Sequence, residues 1–226
     1  IMGHTTGSQD VLHYLYAPNP LPHDPAFEGK LQHLVRPQVD GAILQAPVSD
    51  REVVIHTLKT ASESNDASEA YEQLVDSARR QQADGIHSIV PSHLVKLTGL
   101  PDDVPISATR FLSLLSPDSP EKPSDDDLFS SDLKDERLQR TFGGVAPRGL
   151  LHSSLLVLYS GSDEFVPDWV NKEELMQRWK EAANASGRNI WNENSGIIPG
   201  ASHNVKNVGQ EDLIARVTRY LNDIMA

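Results

Sequence analysis

At 226 residues, with 38% apolar and 23% charged positions, the chain has the make-up of one soluble globular domain rather than of a fibrous or disordered segment. A formal charge of -12, with no local cluster of Lys and Arg, repels a phosphate backbone and excludes nucleic acid as an expected partner. The chain has no cysteine, which rules out a disulfide framework, a thiolate zinc site and a Cys nucleophile; this suits a reducing compartment, so a cytoplasmic location is expected, and no apolar run is long enough to span a bilayer.

Ile1-Met2-Gly3-His4 reads as the tail of a buried strand rather than as a polar chain start, which leads us to expect further sequence upstream. From Gly7 to Tyr16, Val11, Leu12 and Leu15 alternate with polar residues until Pro18 and Pro20, so a sharp turn and a short helix are expected. A Pro-rich loop over 17–29 follows, and then Ala42 to Ala46, closed by Pro47, reads as a buried parallel strand.

The segment from Val48 to Arg148 differs in character and is expected to be a helical cap inserted into a core made of 1–47 and 149–226. Its clearest helix carries Ala67, Ala70, Tyr71, Leu74, Val75 and Ala78 on one face, with Asp66 and Glu69 as a capping box and Gly85 as C-cap. Ser107 to Leu115 forms a second helix, and the Pro-, Ser- and Asp-rich stretch from Ser116 to Ser131 is expected to be an exposed, mobile loop.

Ser154 to Tyr159 then reads as a buried strand, followed by a helix with Leu175, Met176 and Trp179 and a strand from Gly196 towards Gly200. The last helix carries Leu213, Ile214, Val217, Leu221 and Ile224 on one side. Strands alternating with helices predict an α/β fold, a mostly parallel sheet flanked by helices.

Three motifs carry chemistry. Gly3-His4-Thr5-Thr6-Gly7 fits the nucleophile-elbow pattern G-x-S-x-G with Thr in the serine position, between an expected strand and helix. A tight, strained turn with small residues on either side lifts the Thr5 hydroxyl clear, and the N–H of Thr6 is aimed at a developing oxyanion. Asp163 follows the strand ending near Tyr159, where a carboxylate can accept the N–H of a histidine; Glu164 and Asp168 are rivals for that role. His203 lies in a loop of small residues between the last strand and the last helix, a position suited to a general base. The order nucleophile, acid, histidine is that of the α/β-hydrolases.

The segments from Gly3 to Val11, Tyr159 to Pro167 and Ile198 to Asn204 resemble a mainly fungal family of α/β-hydrolases whose described relatives include siderophore esterases that cleave fusarinine-type iron chelators. The resemblance covers most of the chain and is weakest in the cap. It implies an α/β-hydrolase fold with further strands before Ile1, a loop there that supplies a second oxyanion donor, and a small-molecule ester as substrate. Thr5 departs from it, because the family has serine there, and the β-branched methyl crowds the attack path. Two readings follow: a carboxylic ester hydrolase with a weakened nucleophile, or a hydrolase-fold protein that only binds.

No cofactor is expected. None of the histidines, His4, His13 and His33 among them, pairs with a carboxylate at metal-ligand spacing, and Asp125-Asp126-Asp127 reads as a solvated loop rather than a calcium site. Trp169, Trp179 and Trp191 are expected to pack against the sheet or cap. Nothing in the pattern fixes an oligomeric state.

Overall fold

The computed structural model describes residues 1–18, 36–61, 67–85, 88–100 and 103–226. Four strands, β1 (Met2–His4), β2 (Ala42–Gln45), β3 (Leu155–Ser160) and β4 (Gly196–Ile198), run parallel in the order β1-β2-β3-β4. Parallel neighbours need a crossover, so a helix or group of helices separates each pair. Helix α1 (Thr6–Tyr16) joins β1 to β2; α2 (Asp50–Ala61), α3 (Ala67–Ala83), α4 (Ser92–Leu97), α5 (Ala108–Leu115), α6 (Asp135–Arg140) and α7 (Phe142–Arg148) lie between β2 and β3; α8 (Lys172–Asn184) joins β3 to β4, and α9 (Gln210–Met225) follows. The register pairs His4 with Gln45, Gln45 with Leu158, and Ser160 with Ile198, so the ends of the strands that lead towards Thr5, Asp163 and His203 lie side by side.

Every position of β2 and β3 is buried, as a sheet covered on both faces requires. On one face Ile43, Leu156, Leu158 and Ile198 pack with Ala201, Val205 and Tyr220. On the other, Tyr159 stacks on Trp179 of α8, which stacks in turn on Phe142 of α7, with ring centroids 5.9 and 5.3 Å apart. Among the described residues strand β1 pairs only with β2, and Ile1 and Met2 are about half exposed rather than buried as the sequence led us to expect.

The buried side of α9 also differs from the expected one. Leu213, Val217, Tyr220 and Ile224 face the sheet, whereas Ile214 and Leu221 are exposed. The spacing 213, 217, 220, 224 is one helical stripe, and Tyr220 rather than a second leucine sits at its centre because its hydroxyl has partners. That hydroxyl donates to the carbonyl of Ser154 (2.6 Å) and accepts from the N–H of Ala42 (2.7 Å), fastening α9 to the starts of β2 and β3. Gly41 is glycine because a Cβ there would stand 2.3 Å from the same oxygen.

The chain divides into two compact units: Ile1–Pro47 with Asp135–Asp163 and Asn171–Ala226, and Val48–Lys134 with Glu164–Val170. The cap expected over 48–148 and the second unit therefore differ at one end, since α6 and α7 belong with the sheet, and a short piece after Asp163 belongs with the second unit.

The second unit has its own core, in which Val54 and Leu58 of α2, Leu74, Val75 and Ala78 of α3, and Phe111 and Leu115 of α5 are buried together. Ser107 caps α5 by accepting the N–H of Arg110, and Gly85 follows α3 at φ +149. Asp66 of the expected capping box and His33 lie outside the described residues, as does most of the Pro-rich stretch before Arg36.

The 116–131 stretch is only in part the exposed loop its composition implied: Asp118, Glu121, Lys122 and Asp125 are exposed, whereas its two ends turn inward. Ser116, Asp126, Asp127, Leu128, Phe129 and Ser130 are buried, and Asp126 and Asp127 pair with Arg110 and Arg51 instead of facing solvent. Leu128 and Phe129 supply the apolar anchor, and two arginines from distant helices neutralise the acids, which composition counted over a short window cannot register. Of the three tryptophans, Trp179 and Trp191 are buried, but Trp169 is 47% exposed, with Lys59 over its ring at 4.2 Å and His56 at its edge. Among the described residues there is no cluster that could hold a metal ion and no helix long and apolar enough to cross a membrane.

Candidate active site

The elbow is built by one close approach. A Cβ on Gly3 would lie 2.0 Å from the carbonyl oxygen of Gly7, so only glycine lets β1 and α1 meet at this angle. Gly7 itself is not needed for space, since a Cβ there meets nothing within 4 Å; the tightness expected on both sides of the turn lies on the Gly3 side alone. Between them Thr5 adopts φ 52, ψ -124, a region that a β-branched residue avoids and that costs on the order of 1–3 kcal/mol. The strain is held by hydrogen bonds: Thr5 N–H donates to Gln45 O (3.1 Å), and the buried Ser8 hydroxyl lies within bonding distance of both Gly3 O (3.0 Å) and Gln45 O (3.2 Å). Thr6 opens α1, where a helix leaves its first N–H groups without intrahelical acceptors.

Two further non-glycine residues with positive φ, Ala46 after β2 and Val205 after His203, lie at the same end of the sheet. Strained backbone collected at one edge of a fold is a feature of functional sites.

Asp163 and His203 meet there. His203 Nδ1 is 2.8 Å from Asp163 Oδ2, and the side chains are 5% and 0% exposed respectively. A carboxylate oxygen accepts, so the bond is an Nδ1–H of His203 donating to Asp163. The two loops are fixed to one another by backbone bonds, Gly161 N–H to Ile198 O and Ser162 N–H to Ala201 O, both 2.9 Å. Gly161 is required, because its Cβ would stand 2.8 Å from Ile198 O. The rivals Glu164 and Asp168 are exposed, and the acid at hydrogen-bond distance from the ring is Asp163.

His4 adds a contact that sequence reasoning missed. Its ring lies 4.8 Å from that of His203, and its Nε2 is 3.3 Å from the His203 carbonyl oxygen, which fixes the proton on His4 Nε2. The residue before Thr5 thus touches the histidine loop. Among the described residues, the bond that joins His203 to Asp163 has no counterpart at the Thr5 hydroxyl. Ser8, His4 and Lys172, whose ammonium donates to Ser160 O (3.1 Å) and Gly161 O (2.7 Å), support the site although the sequence reading gave none of them a role.

Chemically, the observed pair is a buried carboxylate that orients an imidazole, at the sheet edge where the strained Thr5 turn also lies. No side-chain group in it calls for a metal or an organic cofactor.

Comparison with known proteins agrees with this architecture. The chain is 47% identical over its whole length to fusarinine C esterase sidJ of Aspergillus fumigatus, matching 66% of that protein, and 44% identical over 99% of its length to an esterase of Emericella nidulans, matching 65% of it. Among solved structures, siderophore hydrolase EstB from Aspergillus fumigatus is 43% identical, with a TM-score of 0.76 over 99% of this chain and 65% of that one. The chain thus spans about two thirds of the length of the relatives it matches. Residues 1–222 match the model of the family described as "Protein of unknown function (DUF1749)", and the chain, with its α/β-hydrolase fold, belongs to that family.

Proposed function

We propose that the chain carries the catalytic triad of a serine-hydrolase-type carboxylic ester hydrolase, with Thr5 as nucleophile, His203 as general base and acid, and Asp163 as the group that orients it. The observation that carries this reading is the buried 2.8 Å bond between His203 Nδ1 and Asp163 Oδ2 at the sheet edge where Thr5 sits at φ 52. His203 Nε2 takes the Thr5 proton as Oγ1 attacks the ester carbonyl, and the Thr6 N–H meets the oxyanion. The intermediate collapses as His203 returns the proton to the departing alcohol, leaving an acyl-threonine that water, activated by the same ring, hydrolyses. The names of two relatives, a fusarinine C esterase and a siderophore hydrolase, support siderophore esters as the substrate class. A cytoplasmic site of action suits a chain with no cysteine.

A second reading is favoured by Thr5: its methyl lies on a backbone that penalises branching, so a hydrolase fold that only binds its ester is the alternative. Restoring the hydroxyl without the methyl decides between them. Under the catalytic reading Thr5→Ser raises hydrolysis of fusarinine C at least about tenfold, a factor worth about 1.4 kcal/mol of barrier, and His203→Ala in that background abolishes the gain. Both variants are assayed beside labelling by a fluorophosphonate probe. No gain and no labelling of Thr5→Ser would leave the binding reading standing.

A further inference from the structure

The segment 164–170 leaves the sheet-bearing unit immediately after Asp163, and the chain returns to that unit at Asn171. The acid is therefore the last residue before an excursion, and whatever holds the neck of that excursion decides how firmly the carboxylate stands. On the side of the histidine loop, two backbone bonds do this, from Gly161 and Ser162 to Ile198 and Ala201. A side chain adds a further tie. Lys172, the first residue of α8, is half-buried, and its ammonium donates to the carbonyls of Ser160 and Gly161, the last residue of β3 and the one after it. Its Nζ also lies 5.7 Å from the centre of the Tyr159 ring. Asn171 caps α8 by accepting the N–H of Glu174, so the helix start that presents Lys172 is itself fixed.

We propose that Lys172 is a positioning residue for the proposed triad: its ammonium ties the end of β3 to the start of α8, closes the neck of the 164–170 excursion, and thereby holds Asp163 against His203. The inference rests on the triad reading for its meaning, but not for its test. Two carbonyls directed at one ammonium favour the charged amine, and the Asp163 carboxylate attracts it. Burial pushes the Lys172 amine below the usual lysine range, with Asp163 and then Glu173 pulling it back up. The titratable and charged groups around the assembly are Tyr159 on β3, Asp163 after it, Glu173 beside Lys172 on α8, and His4 against His203 from β1. A lysine that served only as a surface cation would have no reason to reach back over the strand end with two of its three donors.

The test reads the Asp163–His203 contact directly, without substrate. A neutral imidazole whose Nδ1–H is bonded to a buried carboxylate gives a low-field proton resonance that exchanges slowly with water. The unsubstituted protein, Lys172→Met and Lys172→Arg are compared by proton NMR, with His203→Gln to assign the signal and circular dichroism to verify that each is folded. In Lys172→Met the resonance is expected to broaden or vanish, with solvent exchange at least about tenfold faster, because Met keeps the length of the side chain but none of its donors. Lys172→Arg restores donors and charge, and brings exchange back to within about twofold of the unsubstituted protein. A Met variant whose resonance and exchange match the unsubstituted protein overturns the proposal, as does an Arg variant that behaves like Met. Should Lys172→Met fail to fold, the Arg variant and Lys172→Gln, which keeps two N–H donors on a shorter, uncharged side chain, must rank in the order Lys, Arg, Gln for exchange protection, and any other order overturns it. Absence of the resonance in the unsubstituted protein refutes the Asp163–His203 pairing itself and takes the proposal with it.

Discussion

The strand ends that carry Thr5, Asp163 and His203 and the stretch from Asp126 to Ser130 are both largely buried and rich in polar groups, yet they are held by different means. At the sheet edge the contacts are made mostly by backbone: Thr5 N–H to Gln45 O, Gly161 N–H to Ile198 O, Ser162 N–H to Ala201 O. In the second unit they are made by side chains. Arg51 bonds Asp127 at 3.0 Å and also pairs with Asp132; Glu52 accepts from the N–H of Ser131 at 3.1 Å and from its hydroxyl; the hydroxyls of Ser49 and Ser130 are 2.6 Å apart. A backbone-built edge tolerates many side chains provided a few glycines and turns are kept. A side-chain-built one depends on each charge finding its partner, because a buried charge left alone is expensive.

The sharpest way to break that contrast is to remove one cation from the second region. Arg51→Met leaves the Asp127 carboxylate, 1% exposed, without its guanidinium, and the expected cost is about 3–5 kcal/mol, the range for orphaning one partner of a buried pair. Arg79, which faces Asp118 at 3.5 Å with both side chains more than half exposed, is the control in the same unit, and Arg79→Ala is expected to cost less than about 1 kcal/mol. Thermal or urea unfolding of the two variants checks both. Equal losses would show that the buried network does not bear on stability as described.

A smaller loss is expected where a single side chain intrudes on the backbone-built region. The Tyr220 phenol fastens α9 to the starts of β2 and β3, and burial pushes its pKa up to about 12, so it stays a donor at any physiological pH. Tyr220→Phe leaves the ring and its packing in place, but takes away the acceptor for Ala42 N–H and the donor to Ser154 O. The expected loss is about 1–3 kcal/mol, the cost of leaving buried backbone groups unsatisfied, read from the urea midpoint at unchanged slope. A loss as large as that of Arg51→Met would erase the distinction between the two regions.

The same contrast explains what the sequence disclosed. The elbow was legible because G-x-T-x-G is a local backbone requirement, and the structure puts it on Gly3, whose Cβ would strike Gly7 O. Strands β2 and β3 were legible because a parallel strand covered on both faces is apolar throughout. The meeting of Asp163 and His203, 40 residues apart, was foreseeable only from chain order, and which of three nearby acids reaches the ring was settled by the turn at Gly161. Partners 76 to 81 residues apart in the second unit left no trace at all, so 116–131 read as solvated loop when its acids were already paired. The stripe on α9 was misplaced by one residue because Tyr220 counts as polar on a hydropathy scale yet is buried here by its bonds.

The finest of the expected effects concerns Glu52 and its dependence on pH. Burial raises the Glu52 carboxyl above the usual value of 4.5, and the bonds from Ser131 and the nearby Arg51 pull it only part of the way back. A carboxyl whose folded value lies above its unfolded one favours the native state most when protonated; that contribution is complete below about 4.5 and is lost as the pH rises through the folded value. Glu52→Gln keeps an acceptor for Ser131 and has no such titration. Its melting temperature relative to the unsubstituted protein is therefore expected to be lowest near pH 4 and to climb by a few degrees at most as the pH approaches 7. A difference that stays flat, or that falls over the same interval, would mean that Ser131 and Arg51 outweigh burial, and would place Glu52 with the fully compensated charges of its unit rather than with the costly ones.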